Sequence, residues 1–354
     1  MSRCRVEVRG AARAPVSLRE HKVHFRVVMK RRGTEGVVED PRVVAVVVAY
    51  NRRQLLSEVL TALQSQTRPV DDIVVVDNAS TDGSADVARS SAPGATLIRL
   101  TRNTGGAGGF AVGMAAALQR HEPDWIWVMD DDTVPTESAL AEMVNAIDRY
   151  PGPDLVAVGS RVVWTDGSDH PMNTPRPNPF AKSEEKEFAA VVQAQPVRSL
   201  SFVSSMYRAD VVRRLGLPIV DYFLWNDDFE FSSRILREGR GLSVPSSVVV
   251  HKTKALASTD ADPGPRFRLE VRNKVWLFRA SAALRPGEKL VYAGASVRRW
   301  IVTFLRSADR ATLRDGLVTG LREGFSARPR PNSAALREAG VPDDVLAAVD
   351  GRAA

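Results

Sequence analysis

Trp125-Ile126-Trp127-Val128-Met129-Asp130-Asp131-Asp132 is the stretch on which the fold turns. Its apolar residues read as a buried strand, and three carboxylates arrive at its carboxyl end, where open α/β sheets bind ligands. Clustered carboxylates repel one another unless a cation balances them, and a hard divalent metal is the natural balance. The competing reading is a solvated acidic turn, since Thr133-Val134-Pro135-Thr136-Glu137 has the look of a helix start.

Strands and helices alternate on either side of this stretch. Val43–Ala49 reads as a buried strand, 53–64 as an amphipathic helix and Asp72–Asp77 as a strand ending in a carboxylate. A short helix over 82–90, a strand over 96–100 and a helix over 108–119 lead into the opening stretch. Near-continuous Val/Ile runs in such alternation imply an α/β fold, a mostly parallel sheet with helices on both faces. A strand over 156–163 precedes a Pro/Asn/Asp-rich excursion over 166–182, of a length common in functional lids. The chain returns through 200–206, a helix over 209–215, the acidic Asn226-Asp227-Asp228-Phe229-Glu230 and a strand over 247–250 ending at His251. Two helical stretches follow, 267–283 and 288–310. The expected division is a flexible basic extension over 1–40, an α/β domain over 41–266 that carries the candidate site, a helical region over 267–325 and a weakly structured tail over 326–354.

The 354 residues suffice for an ample core, and the single cysteine, Cys4, excludes an internal disulfide framework. Val43–Ala49 is too short to span a bilayer, and the N-terminus lacks a signal-peptide core, so a cytoplasmic protein is expected. The net charge of +7 gathers at the two ends of the chain, which favours anionic partners such as phospholipid headgroups or a lipid-linked diphosphate. No zinc spacing, RNP-type strand or repeat supports nucleic-acid binding.

Convergent strand ends should bring Tyr50-Asn51, Asp77-Asn78, Arg102-Asn103 and Asp130–Asp132 into one crevice that suits a nucleotide. Asp77 would accept from the imide N–H of a uracil or thymine ring, and Arg102 would meet phosphate oxygens. Gly105-Gly106-Ala107-Gly108-Gly109 would let backbone approach a phosphate at a helix start, or form only a tight strand-to-helix turn.

VVAVVVAYNR, IVVVDNASTDGS, RNTGGAGG, WIWVMDDD, FLWNDDFEF and VVVHKT occur in this order across Val43–Asn273. The set resembles the family 2 glycosyltransferases of GT-A fold, and within them the bacterial galactofuranosyltransferases and the rhamnosyltransferases that build cell-wall polysaccharide on polyprenyl diphosphate. The resemblance implies an inverting transfer from a UDP- or dTDP-sugar to a glycan or lipid-linked acceptor. It also implies Mn²⁺ or Mg²⁺ held by Asp130, Asp132 and His251, with Asp131 near the ribose or donor sugar and Asp77 on the base. Asp228 takes the position of the catalytic base, activating the acceptor hydroxyl without a covalent intermediate. Asp227 beside it would raise its pKa, and Glu230 stands two residues on. Asp227, Glu230 and the apolar face of Trp225 are assigned to the acceptor, while Trp164 and Trp276 read as core or lid residues. Arg272-Asn273 resembles a family RN motif, although the preceding RFRLEV lacks the tyrosines often found there. The first strand reads AYN where many members carry a hydroxyl residue before the tyrosine.

The helix from Glu288 places Leu290, Ala293, Val297, Ile301 and Phe304 on one face and Arg299, Arg306 and Arg310 on another, a pattern open to membrane contact or to packing on the domain. Two other functions fit parts of the pattern. A nucleotidyltransferase would want a lysine-rich glycine signature that Asn51-Arg52-Arg53 lacks, and a non-catalytic sugar-nucleotide binder would not need metal, base and nucleotide residues together.

Overall fold

The computed structural model describes residues 40–254, 256 and 262–350. The expected basic extension falls outside these, save Asp40. Among the described residues no helix is long and apolar enough to cross a membrane.

Strands β1 (Val43–Ala49), β2 (Asp72–Asp77), β3 (Thr96–Arg99) and β4 (Trp125–Asp130) pair in parallel in the order β3-β2-β1-β4. Helices α1 (Arg53–Gln64), α2 (Ser84–Ser91) and α3 (Gly105–Arg120) form the crossovers. Every residue of β1 is buried, as a continuous Val/Ala run between two helical layers requires. Because β1 has β2 on one side and β4 on the other, the order reverses there. The carboxyl ends of β1 and β4 therefore border a crevice at a topological switch point.

Thr133–Pro135 is strand β5, not a helix start; its backbone pairs with a distant strand, and α4 (Ala139–Arg149) begins later. After β6 (Leu155–Val163) the excursion contains β7 (Arg176–Pro177) and leads to α5 (Ser183–Val191). Two strands, β8 (Gln195–Ser199) and β9 (Ser205–Arg208), replace the single return expected over 200–206, and β9 lies antiparallel between β4 and β6. Helices α6 (Ala209–Leu215) and α7 (Asp227–Ile235) precede β10 (Arg240–His251), which runs parallel to β6. The register of β10 slips between Val244 and Val248, where Pro245 has no N–H for the ladder. Its last residues pair with β5 and set His251 opposite Thr133. One face of the sheet packs under Phe110, Met114, Val212 and Phe231, the other under Leu56, Leu60, Leu140 and Met143.

The C-terminal region holds α8 (Phe267–Arg279), α9 (Pro286–Arg306) and α10 (Arg310–Ser326). The helix expected to run to Arg310 stops at Arg306, because Asp309 starts a new one by accepting from Thr312 N–H at 3.1 Å. Gly316, Gly320 and Gly324 let α10 lie directly on α8; a Cβ at any of them would come within 3.2 Å of it. As far as residue 350 the tail is not weakly structured. Helices α11 (Asn332–Leu336) and α12 (Asp343–Ala348), each preceded by a proline, bury Leu336, Val345 and Val349 in the core.

Candidate functional site

Pairing of β5 with β10 carries His251 to the carboxylates at the end of β4. One ligand atom from each of Asp130, Asp132 and His251 lies within 4.8 Å of the others. His251 Nδ1 lies 3.0 Å from Asn173 Oδ1, and in the tautomer that donates to this oxygen Nε2 presents its lone pair. That nitrogen is 3.1 Å from Asp132 Oδ1, a buried oxygen with no hydrogen-bond donor. An orphaned carboxylate oxygen facing an imidazole lone pair, with a second carboxylate at hand, suits a divalent cation.

The charges at this strand end are unequal. Burial, reinforced by Asp132 and Asp131, pushes Asp130 well above the usual carboxylate range. Burial also lifts Asp131 to about 6, against the pull of Arg52 and Tyr50 N–H. For Asp132 burial is outweighed by His251 in its protonated form, which would donate from Nε2, and by Arg52, and its pKa is lowered. Arg52 Nη1 donates to Asp132 Oδ2 at 2.5 Å and Asp131 Oδ1 at 3.1 Å. Asp131 Oδ2 accepts from Tyr50 N–H at 2.8 Å. Both oxygens of Asp131, expected near the donor, thus hold the end of β1.

The acidic segment is reached through an unusual loop. Phe223, Trp225 and Asn226 all have left-handed backbones, with φ of 62°, 68° and 64°. Such strain persists only where the surroundings over-determine it, and it concentrates at functional sites. Asn273, fully buried, places its Nδ2 at 2.9, 3.0 and 2.8 Å from the carbonyls of Tyr222, Leu224 and Trp225. Arg272 donates to the carbonyls of Asp221 and Tyr222 at 2.7 and 3.2 Å. Its only described contact to the segment is through backbone, so the Arg-Asn pair acts here as a clamp. From the other side Gly105, at φ 72°, abuts Phe223, whose carbonyl oxygen would sit 2.0 Å from any Cβ added there. Gly106 stands beside the Asp227 carboxylate. The glycine run therefore permits close approach of the chain to itself.

Asp227 and Asp228 open α7. Burial and the Asp228 charge push Asp227 to about 8, and the Asp227 charge is felt in turn at Asp130. Burial raises Asp228 as well, with Phe229 N–H and Lys274 opposing. Asp228, half-buried, lines a cavity of about 170 Å³ together with Asn226, Lys274, Tyr292, Arg299 and Arg176. Lys274 is buried 5.0 Å from the Phe229 ring centre and lowered to about 8 by burial. Glu270 balances it, accepting from Asn226 Nδ2 at 2.6 Å and pairing with Arg299.

Several expected site residues serve the scaffold. Glu230 is buried and bonded to Arg234 at 2.9 Å and Ser281 at 2.7 Å, so it does not face an acceptor. Asn78 accepts from Thr104 N–H at 2.8 Å and donates to Gly105 O at 2.9 Å, which fixes the glycine run. Asn103 accepts from Gly105 N–H, and Asn51 Oδ1 accepts from Thr81 N–H at 2.8 Å. Arg102 turns to Ala335 O at 2.6 Å and lines a different cavity. Asp77 is buried under Ser80 N–H at 2.9 Å and Arg99 at 3.3 Å, so a base ring reaches it only if half-exposed Arg99 gives way. Trp225 is half-buried, and Trp276 packs on Tyr222, as a core residue should. Sequence reasoning passed over Arg52, Asn173, Lys274 and Glu270. It also missed His170, whose ring lies 4.8 Å from that of His251.

Comparison with known proteins bears on the fold that holds this site. Residues 44–216 match the family model "Glycosyl transferase family 2". The galactofuranosyltransferase GlfT1 of Mycolicibacterium smegmatis is 30% identical over 212 residues, 56% of this chain and 66% of that protein. Its namesake in Mycobacterium tuberculosis strain CDC 1551 / Oshkosh is 31% identical over 206 residues, 56% of this chain and 65% of that protein. The alignments therefore span just under two thirds of these relatives' own length. Among solved structures, S. aureus TarS 1-349 in complex with UDP superposes with a TM-score of 0.55 at 16% identity, covering 88% of each chain, a likeness of fold. Residues 44–216, just under half of the chain, are thus similar to family 2 glycosyl transferases, and the fold is GT-A-like with added C-terminal helices.

Proposed function

We propose that this chain is a metal-dependent, inverting hexosyltransferase moving galactofuranose or rhamnose from a UDP- or dTDP-sugar to a hydroxyl of a glycan or polyprenyl-diphosphate-linked acceptor. The observation that carries the reading is the orphaned Asp132 Oδ1 facing His251 Nε2, next to Asp130 and within electrostatic reach of Asp227. The galactofuranosyltransferase relatives favour galactofuranose, and the UDP in the TarS complex favours a uridine donor.

Asp130, Asp132 and His251 would hold Mn²⁺ or Mg²⁺, which when bound stabilises the charge of a departing diphosphate. Tyr50 and Asp77 would line the nucleotide end, Asp77 once Arg99 gives way, and Asn51 would hold the loop beside them. Asp228 takes the proton of the acceptor hydroxyl as the new bond forms at the anomeric carbon and the bond to the diphosphate oxygen breaks on the opposite face. Asp228 is half-buried, and burial strengthens it as a base. Lys274 stands behind it to stabilise the charged form.

The lipid-linked acceptor gains support from α9, with a change of residues. Trp300 and Phe304 pack inward on Phe267, and Arg299 is taken by Glu270, so neither the apolar face nor the three arginines of the initial reading stands as drawn. The outward stripe is Leu290, Val291, Val297, Ile301 and Leu305, each at least half exposed, with Arg298 among them. Contiguous exposed apolar surface marks an interaction site, and a basic flank suits an anionic membrane face.

Incubation of the purified protein with UDP-galactofuranose and dTDP-rhamnose, with and without chelator, tests the reading. Mn²⁺-restored sugar release or transfer from one donor is expected; turnover undiminished in excess chelator, or no interaction with any nucleotide sugar, would contradict it.

A further inference from the structure

A cavity of about 310 Å³ lies between the Arg102–Thr104 loop, the Val220–Phe223 turn and α8. Its lining is rich in arginine: Arg102, Arg268, Arg272 and Arg330 stand around one carboxylate, Asp221. Arg330 pairs with Asp221 at 2.7 Å, and Arg268 with Glu323, outside the lining, at 2.8 Å. Arg102 spends a donor on Ala335 O, and Arg272 spends its Nε on Asn273 Oδ1 and its Nη2 on backbone carbonyls and the same oxygen, which leaves its Nη1. A guanidinium has five N–H donors, so these bonds leave each arginine with more to offer. Burial holds Arg272 below its ordinary value; Glu323 works against this, and the neighbouring Arg268 charge adds to it.

We propose that this cavity is a second anion site, independent of metal, that takes a phosphate or diphosphate group. Four guanidinium groups around a partly enclosed space, each with N–H donors beyond those already used, offer phosphate oxygens both charge and hydrogen bonds. The volume is at the lower end of small-ligand sites, which run from roughly 300 to 1,000 Å³. Neither the Asp130–Asp132–His251 triad nor Tyr50, Asp77 or Asp228 lines it, so it is separate from the proposed donor and base positions. It meets them at one place. Arg272 and Arg330 both hold Asp221, at the root of the strained Phe223–Asn226 loop, so an occupant that draws on these arginines bears on the loop that carries Asp227 and Asp228.

Calorimetric titration of the whole chain with pyrophosphate, in excess chelator and at constant ionic strength, tests the site apart from any transfer reaction. Saturable binding is expected. The double variant Arg268→Gln/Arg330→Gln should weaken it at least tenfold, Arg268→Lys/Arg330→Lys should weaken it less, and Mn²⁺-dependent UDP binding should be unchanged in both, which also reports that they fold. A short isoprenyl diphosphate binding more tightly than pyrophosphate identifies a lipid source, and equal binding a free phosphate; either outcome upholds the site. Absence of saturable binding without metal, an isotherm unaffected by the double variant, or one lost instead in Asp132→Ala would overturn it.

Discussion

Replacing Asn273 by Ala should disable the enzyme from a position expected to touch no substrate. Its side-chain amide offers two hydrogens to three carbonyls at 2.8–3.0 Å, and they are the carbonyls of the turn whose backbone is strained. Net hydrogen bonds contribute about 0.5–1.5 kcal/mol each and an abandoned buried carbonyl costs about 1–3 kcal/mol, so a loss of roughly 2–4 kcal/mol is expected. Part of it should be spent locally, by relaxation of Phe223–Asn226 and displacement of Asp227 and Asp228. A shift of about 1 Å in a reacting group lowers rate on the order of 100-fold. Urea unfolding followed by circular dichroism reads the first quantity, and initial transfer rates beside Mn²⁺-dependent UDP binding read the second. Asn273→Asp is the sharper variant, because it keeps the acceptor for Arg272 and turns a donor into an oxygen facing three oxygens. It should be at least as damaging as Ala. If both variants keep wild-type stability and rate, the glycine-run contact alone holds the loop and the clamp has been misassigned.

Other expectations are as direct. Asp228→Asn should slow transfer by roughly 100-fold or more with donor affinity nearly unchanged, since a general base contributes on the order of 10²–10⁴; equal losses in both would make Asp228 a binding residue. Asp227 has its folded pKa raised from 3.8 to about 8, so its stabilising contribution is full below pH 4 and is lost as pH rises toward 8. In chelator, Asp227→Asn should flatten that fall, by ~1.4 kcal/mol for every tenfold change in proton affinity, and a pH–stability curve matching wild type would refute it. Leu290→Ser/Ile301→Ser/Leu305→Ser should cut sedimentation with anionic vesicles by about 100-fold, or roughly 3 kcal/mol of partly buried apolar surface, while leaving a short soluble acceptor's rate intact. Undiminished vesicle binding would remove α9 from the membrane.

Much of the sheet could be read from the chain because buried parallel strands announce themselves. Val43–Ala49 and Asp72–Asp77 are short apolar runs with polar neighbours at both ends, and the structure keeps those limits. Asp130 and Asp132 were legible for the same reason, since strand ends in such a sheet converge, whereas His251 came from the resemblance carried by VVVHKT. The scaffold residues were harder. Glu230 and Asp228 are alike in local sequence, and only Arg234 and Ser281 closing over Glu230 tell them apart. Asn273 acts through atoms 48 to 51 residues away, a separation no local pattern reports. Arg299 sits on a helix face that looks free until the buried Glu270 is placed beside it. The tail misled through composition, because Pro331 and Pro342 read as breakers where they begin helices.

Titration of UDP into the protein, with and without Mn²⁺, for wild type and for Asp132→Ala and His251→Ala, tests the central claim most directly. The orphaned oxygen of Asp132 and the lone pair of His251 Nε2 should together make binding depend on the ion. The expected result is tight binding only with Mn²⁺, weakened at least tenfold in either variant. Binding of equal strength with and without the ion, or variants that bind UDP–Mn²⁺ as wild type does, would contradict a metal centre at Asp130, Asp132 and His251.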